Sequence, residues 1–135
     1  MTKHQAKEIT QDEARHLFLK HIASLVEYWE KESRASTSKD KLEGLAFSIM
    51  VTLDGGSGGH PGYQLIPNTN PEDIDFAKKE GFDYYPEEPE DIIGNSSLHN
   101  SINQYLENRA PEFKNLYDFG NYLADQAKKF HQNGL

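Results

Sequence analysis

The sequence predicts an α+β protein that is predominantly helical: an antiparallel helix pair plus a C-terminal helix, packed with a small β element and a long acidic loop. Three observations carry that expectation. Apolar residues recur at three- and four-residue steps in two segments near the start and one near the end, the period of an amphipathic helix. A glycine cluster at 55–62 and the stretch Tyr63-Gln64-Leu65-Ile66-Pro67 break that period. Almost all the net charge is confined to twenty residues.

The first helix is expected from Thr10 to about Arg34. Thr10-Gln11-Asp12-Glu13 has the form of a capping box, whose hydroxyl and carboxylate satisfy first-turn N–H groups. Ala14, Leu17, Phe18, His21, Ile22, Leu25, Val26 and Trp29 then form one stripe. After a polar turn over 33–38, capped at Thr37 or Ser38, residues 39–54 pose a choice between strand and helix. Leu45 to Leu53 is β-rich by propensity. Yet Leu42, Leu45, Ala46, Ile49, Met50 and Leu53 keep the helical step, and Gly55-Gly56 stand where a left-handed cap is needed. Helix is therefore expected from Lys39 to Asp54, antiparallel to the first.

Tyr63 to Pro67 reads as a short strand or extended edge, ended by Pro67. Pro71 opens a helix through Glu80, with Gly81 as its stop. Residues 82–97 read as irregular, interrupted by Pro86 and Pro89. Ser96 or Ser97 is expected to cap a short helix through Leu98, Ile102, Tyr105 and Leu106. The last helix is expected from Pro111 to Gln132, with Gly134 after it.

Composition bounds the function. Only 29 of 135 residues are Leu, Ile, Val or Phe, little above the roughly 20% level at which disorder sets in. Fifteen aromatics offset this, because each can bury about 150–250 Å². One domain over 1–135 is expected, with 1–9 as a flexible N-terminal tail. The absence of cysteine excludes disulfides, thiolate metal sites and cysteine nucleophiles. No membrane-length apolar run or apolar signal region is present, so a cytoplasmic location is expected. With 22 acids against 14 bases, nucleic-acid backbones and anionic membranes are disfavoured as partners. A homodimer is left open.

Residues 72–91 hold nine acids and two bases, a net of −7 within a total of −8. Phe82, Tyr84 and Tyr85 lie among them, beside Glu87 and Glu88. Aromatics anchor interfaces and carboxylates steer encounter, so this segment is the candidate docking surface for a basic protein partner. The alternative site lies at the glycine loop: Asp54, Ser57 and His60, with His99 as a remote base. Adjacent Ser96 and Ser97 lack a nucleophile-elbow motif. The loop follows a helix C-terminus and lacks a G-K-[ST] sequence, which argues against a phosphate cradle. Neither a catalytic residue, a cofactor nor a metal is assigned, since the loop supplies too few ligands. His21, on an apolar stripe, reads as a structural histidine.

Glu43-Gly44-Leu45-Ala46-Phe47-Ser48, Leu53-Asp54-Gly55-Gly56-Ser57-Gly58, Pro61, Leu65-Ile66-Pro67, Pro71, Asp73, Gly81, Tyr85-Pro86 and Leu98-His99 resemble a pattern in small bacterial and phage-associated proteins of unknown function. That resemblance implies only that the Asp54–Pro67 loop and Leu98-His99 belong to one shared feature. The expected function is a non-enzymatic interaction factor of accessory, inhibitor or immunity type. A small enzyme or ligand binder at Asp54, His60 and His99 is the alternative, and a nucleic-acid mimic the second alternative.

Overall fold

The structure, a computed structural model, describes residues 5–94, 96–107 and 112–132, without the side chains of 126–132. It contains helices α1 (Gln11–Lys31), α2 (Ser38–Leu53), α3 (Pro71–Glu80), α4 (Leu98–Leu106) and α5 (Leu116–Gln132). These fall into two compact units. The first is Met1–Tyr63 with Asn95–Leu106, and the second is Gln64–Gly94 with Glu107–Leu135.

In the first unit, the capping box of α1 forms as its sequence requires. The Glu13 N–H donates to Thr10 Oγ1 at 3.1 Å, and the Thr10 N–H donates to the Glu13 carboxylate at 3.2 Å. The helix ends at Lys31, short of Arg34. Its terminal carbonyls are taken by a cation from the next helix: Lys41 Nζ donates to the carbonyls of Trp29, Glu30 and Glu32 at 3.2, 2.6 and 3.2 Å. Thr37 starts α2 by accepting from the Asp40 N–H at 3.1 Å.

The order of contacts makes α1 and α2 antiparallel. His21 meets Thr52, whereas Trp29, two turns further along α1, meets Ser48. Phe18, His21, Ile22, Leu25 and Trp29 form the inner part of the stripe, while Leu17 and Val26 at its margins stay exposed. The Trp29 indole N–H donates to Ser48 Oγ at 2.9 Å, and its ring lies against Gly44. A Cβ built on Gly44 would stand 2.4–2.6 Å from three atoms of that ring. Glycine is thus required here by close approach rather than by backbone angle. The end of α2 in turn packs against α4.

In the second unit, α3 is capped by Asn70, whose Oδ1 accepts from the Glu72 N–H at 3.0 Å, and Pro71 takes the first position. Ile74 and Ala77 are its buried residues. Gly81, at φ 76°, reverses the chain, and the Phe82 N–H closes on the Ala77 carbonyl at 2.8 Å. Helix α5 is capped by Asn115, whose Oδ1 accepts from the Asp118 N–H at 2.9 Å. Phe113 precedes it and packs against Phe119 and Tyr122, with ring centroids 5.5 and 5.1 Å apart.

The expected α+β class is corrected. Among the described residues there is no strand, and the small β element at Tyr63–Pro67 is extended chain without a ladder. Leu65 shows why. Its carbonyl accepts from the Ile92 N–H at 2.8 Å, but its own N–H goes to the Asp91 carboxylate, also at 2.8 Å. A side chain fills the place of a second strand, so the pairing cannot propagate, and Pro67 supplies no N–H to resume it. The last helix begins at Leu116, where Asn115 caps it. Pro111, the expected start, lies outside the described residues, as do Gly134 and residues 1–4 of the expected tail.

The crowding at Gly44 reverses a usual expectation. Alanine in place of a helical glycine stabilises by up to about 1 kcal/mol, whereas overpacking a filled site costs about 1–3 kcal/mol. Gly44→Ala is expected to lower stability by roughly 1–2 kcal/mol in urea unfolding, with quenched or shifted Trp29 fluorescence in the folded state.

Candidate functional site

Two places bring chemistry-bearing side chains together, one in each unit. In the first unit the gathering point is the last turn of α2 and the glycine loop that follows. Asp54 ends the helix, and the N–H groups of Gly55 and Gly56 close on the carbonyls of Thr52 and Val51 at 3.1 and 2.9 Å. Gly55 has φ 88°, and a side chain there would also meet the Gly62 backbone at 3.0 Å. The loop turns at 57–60 through a His60 N–H to Ser57 carbonyl bond of 3.2 Å. It returns to the helix end where the Tyr63 N–H donates to the Leu53 carbonyl at 3.0 Å, and Tyr63 packs edge-on against Phe18 at 5.3 Å. The glycines therefore serve a closed turn.

Asp54 works at the start of α4. Its Oδ1 accepts from the Leu98 N–H at 2.9 Å, and its Oδ2 accepts from the His99 N–H at 2.8 Å. The same Oδ2 lies 2.6 Å from His99 Nδ1. A carboxylate from 44 residues earlier thus provides the N-terminal cap that was expected of Ser96 or Ser97. The Ser97 hydroxyl is buried and has no hydrogen-bond partner among the described residues. The Asp54 side chain is 6% exposed and that of His99 30% exposed, with Phe47 edge-on to the His99 ring at 5.7 Å. Burial is the largest single influence on Asp54 and by itself raises its pKa. The N–H groups of His99 and Leu98 and the His99 ring together outweigh it, so the carboxyl stays below its ordinary range.

A second set of contacts hangs from Thr52, one turn before the glycines and fully buried. Its hydroxyl donates to the Ser48 carbonyl at 3.0 Å. With that proton used, its oxygen is left to accept from His21 Nε2 at 2.9 Å and from Ser57 Oγ at 3.1 Å. His60 lies against His21, their ring centroids 4.3 Å apart and tilted by 44°. Of the alternative-site residues named from the sequence, Asp54 and His99 are bonded directly. Ser57 and His60 join instead through Thr52 and His21. Sequence reasoning missed Thr52, although a lone hydroxyl in the apolar run Met50-Val51-Thr52-Leu53 was a signal for it. His16 is exposed on α1 and takes no part. Among the described residues no group of three His, Asp or Glu could hold a metal ion.

In the second unit, the reversal at Gly81 folds residues 82–85 back beside α3. Phe82 approaches Phe76, with centroids 6.4 Å apart, and Lys78 Nζ stands 5.3 Å from the centroid of the Tyr84 ring. Phe76, Phe82, Tyr84 and Tyr85 are 50–65% exposed, and Glu87 and Glu88 are exposed beyond them. Asp91 differs from its acidic neighbours. Its Oδ1 accepts from the N–H groups of Leu65 and Ile93 at 2.8 and 3.1 Å, so it holds the chain together.

Replacing the Asp54 carboxylate tests its capping role. Asp54→Asn is expected to cost roughly 2–3 kcal/mol at neutral pH, from the loss of charge-assisted bonds to two backbone N–H groups. Because the folded-state pKa is depressed, this contribution is complete above the unfolded aspartate value of about 3.9 and is lost as pH falls through the lower folded value. The difference between the melting temperatures of the two proteins should therefore narrow as pH falls below about 4.

No described helix is long and apolar enough to cross a membrane. In comparisons with known proteins, no family model, curated protein or solved structure matches the chain.

Proposed function

We propose that the chain is a non-enzymatic interaction factor, of accessory, inhibitor or immunity type, that docks a basic protein partner through residues 72–91. The observation that supports this most is the exposure of four aromatic rings, Phe76, Phe82, Tyr84 and Tyr85, inside the segment that carries −7 of the net charge of −8. Rings left half in water within a few residues of one another are apolar area available for burial by a partner. Carboxylates around them, Glu80, Glu87, Glu88 and Glu90, supply a field that speeds encounter with a basic surface and penalises an acidic one. Asp91 stands apart from this role, because its carboxylate is engaged with backbone N–H groups.

A specific geometry favours a second reading. The Asp54 carboxylate, buried and 2.6 Å from His99 Nδ1, orients the imidazole as in an acid–base pair, leaving Nε2 for a ligand. Capping of α4 accounts for the same carboxylate, which makes this the weaker reading.

The two readings separate experimentally. Under the first, reversing charge with Glu87→Lys and Glu88→Lys should slow association with a basic partner, captured by the wild-type chain from native lysate, about tenfold or more at low salt. Raising salt should erase most of that difference, and the melting temperature should not fall. Salt-independent capture, or capture mapped to another face, removes the reading. Under the second, phosphate or acetate would raise the melting temperature of the wild type, and His99→Ala would abolish the rise.

A further inference from the structure

We infer that the Tyr84 ring is the receptor for an arginine side chain of the partner's basic segment, and that Lys78 of the same chain holds that place until the partner arrives. This rests on the proposed docking role of residues 72–91 and assigns its specificity. Gly81, in the left-handed region at φ 76°, ends α3 and turns the chain back, and the Phe82 N–H locks the turn on the Ala77 carbonyl. That reversal brings the last turn of α3 and residues 82–85 side by side. Its products are the Phe76–Phe82 contact and the Lys78 ammonium 5.3 Å from the Tyr84 centroid. The separation lies within the roughly 6 Å over which a ring face attracts a cation.

The ring thus already binds a cation of the chemistry the partner would bring. Tyr84 is half-exposed, and a cation–π contact at such a site is weak enough to exchange. An arginine has two advantages over the resident lysine. Its planar guanidinium stacks on the ring, and its fork of donors can reach carboxylates at the same time, which Glu87 and Glu88 supply two and three positions beyond Tyr85. Phe82, two positions before Tyr84, and Tyr85, directly after it, offer apolar area for the arginine stem. Lys78 also prevents an uncovered ring from standing in a field of like-signed carboxylates, and so keeps the surface closed to weak cations.

The test measures binding of a fluorescent, arginine-rich nonapeptide to the full chain by anisotropy at low and high salt. Lys78→Ala removes one positive charge and the ring's occupant, whereas Lys79→Ala removes the same charge from the neighbouring position only. Lys78→Ala should tighten binding about fivefold or more, and Lys79→Ala by less than about twofold. Tyr84→Leu, which keeps the apolar bulk and loses the ring, should weaken binding about fivefold. In a Tyr84→Leu background, Lys78→Ala should then do no more than Lys79→Ala. Equal effects of the two lysine variants on the wild-type ring would overturn the inference. The docking role would survive that result provided Glu87→Lys with Glu88→Lys still abolishes peptide binding. If the peptide fails to bind at millimolar concentration, or binds regardless of those two substitutions, the docking role falls and the inference with it. Unchanged thermal melts of the variants confirm that the folded state is being compared.

Discussion

The first unit depends on one carboxylate in an unfavourable position. Asp54 stands at the C-terminal end of α2, where the helix carbonyls already present partial negative charge. What holds it there is the start of α4: two N–H groups and an imidazole converge on its two oxygens. Backbone N–H groups of Asp54, Gly55 and Gly56 close the end of α2, and the Asp54 side chain beside them completes the start of α4. This matters more than usual because the unit has little buried hydrocarbon. Among the described residues only Ala35, Ile74 and Ala77 are buried apolar side chains, and only the first belongs to this unit. Its fully buried side chain is the hydroxyl-bearing Thr52. Order comes from directed bonds as much as from area removed from water.

Directed bonds also explain the histidines. Thr52 has one proton, given to Ser48, so the nitrogen of His21 that faces it must carry a hydrogen. The imidazole is thereby held against the Thr52 side chain of α2, and His60 rests on it. The reading of His21 as a structural histidine agrees with this bonding. His99, by contrast, is held by a carboxylate and keeps one edge toward solvent. Similar residues therefore differ in what they can do because their partners differ.

The parts of this structure that were legible in the sequence are those set by neighbours within a turn or two. The Thr10–Glu13 box, the Thr37 cap, Pro71 at a helix start and Gly81 at its end are local signals. The helical period of Leu42 to Leu53 overrode its β propensity, and α2 is a helix. Errors arose where a distant side chain intervened. The β element failed because Asp91, 26 residues on, takes the Leu65 N–H. The cap of α4 was assigned to adjacent serines because nothing local reveals that Asp54 reaches it. In the candidate site, Asp54, Ser57 and His60 were visible as a cluster on one loop. Thr52 and His21 were not, since their contact spans 31 residues and joins two helices. Lys78 over Tyr84 depends on a left-handed glycine between them, which marks a turn without revealing which side chains it brings together.

The chain leaves the first unit and re-enters it at nearly the same spot. Tyr63 is fastened to Leu53 and Leu98 to Asp54, successive residues at one helix end. Everything from Gln64 to Gly94 is therefore an excursion whose roots are clamped by the scaffold itself. The entropy of closing such an excursion rises only with the logarithm of its length, about 0.6 kcal/mol for each doubling. Two successive residues at the end of α2 thus fix both where the chain departs from this unit and where it returns.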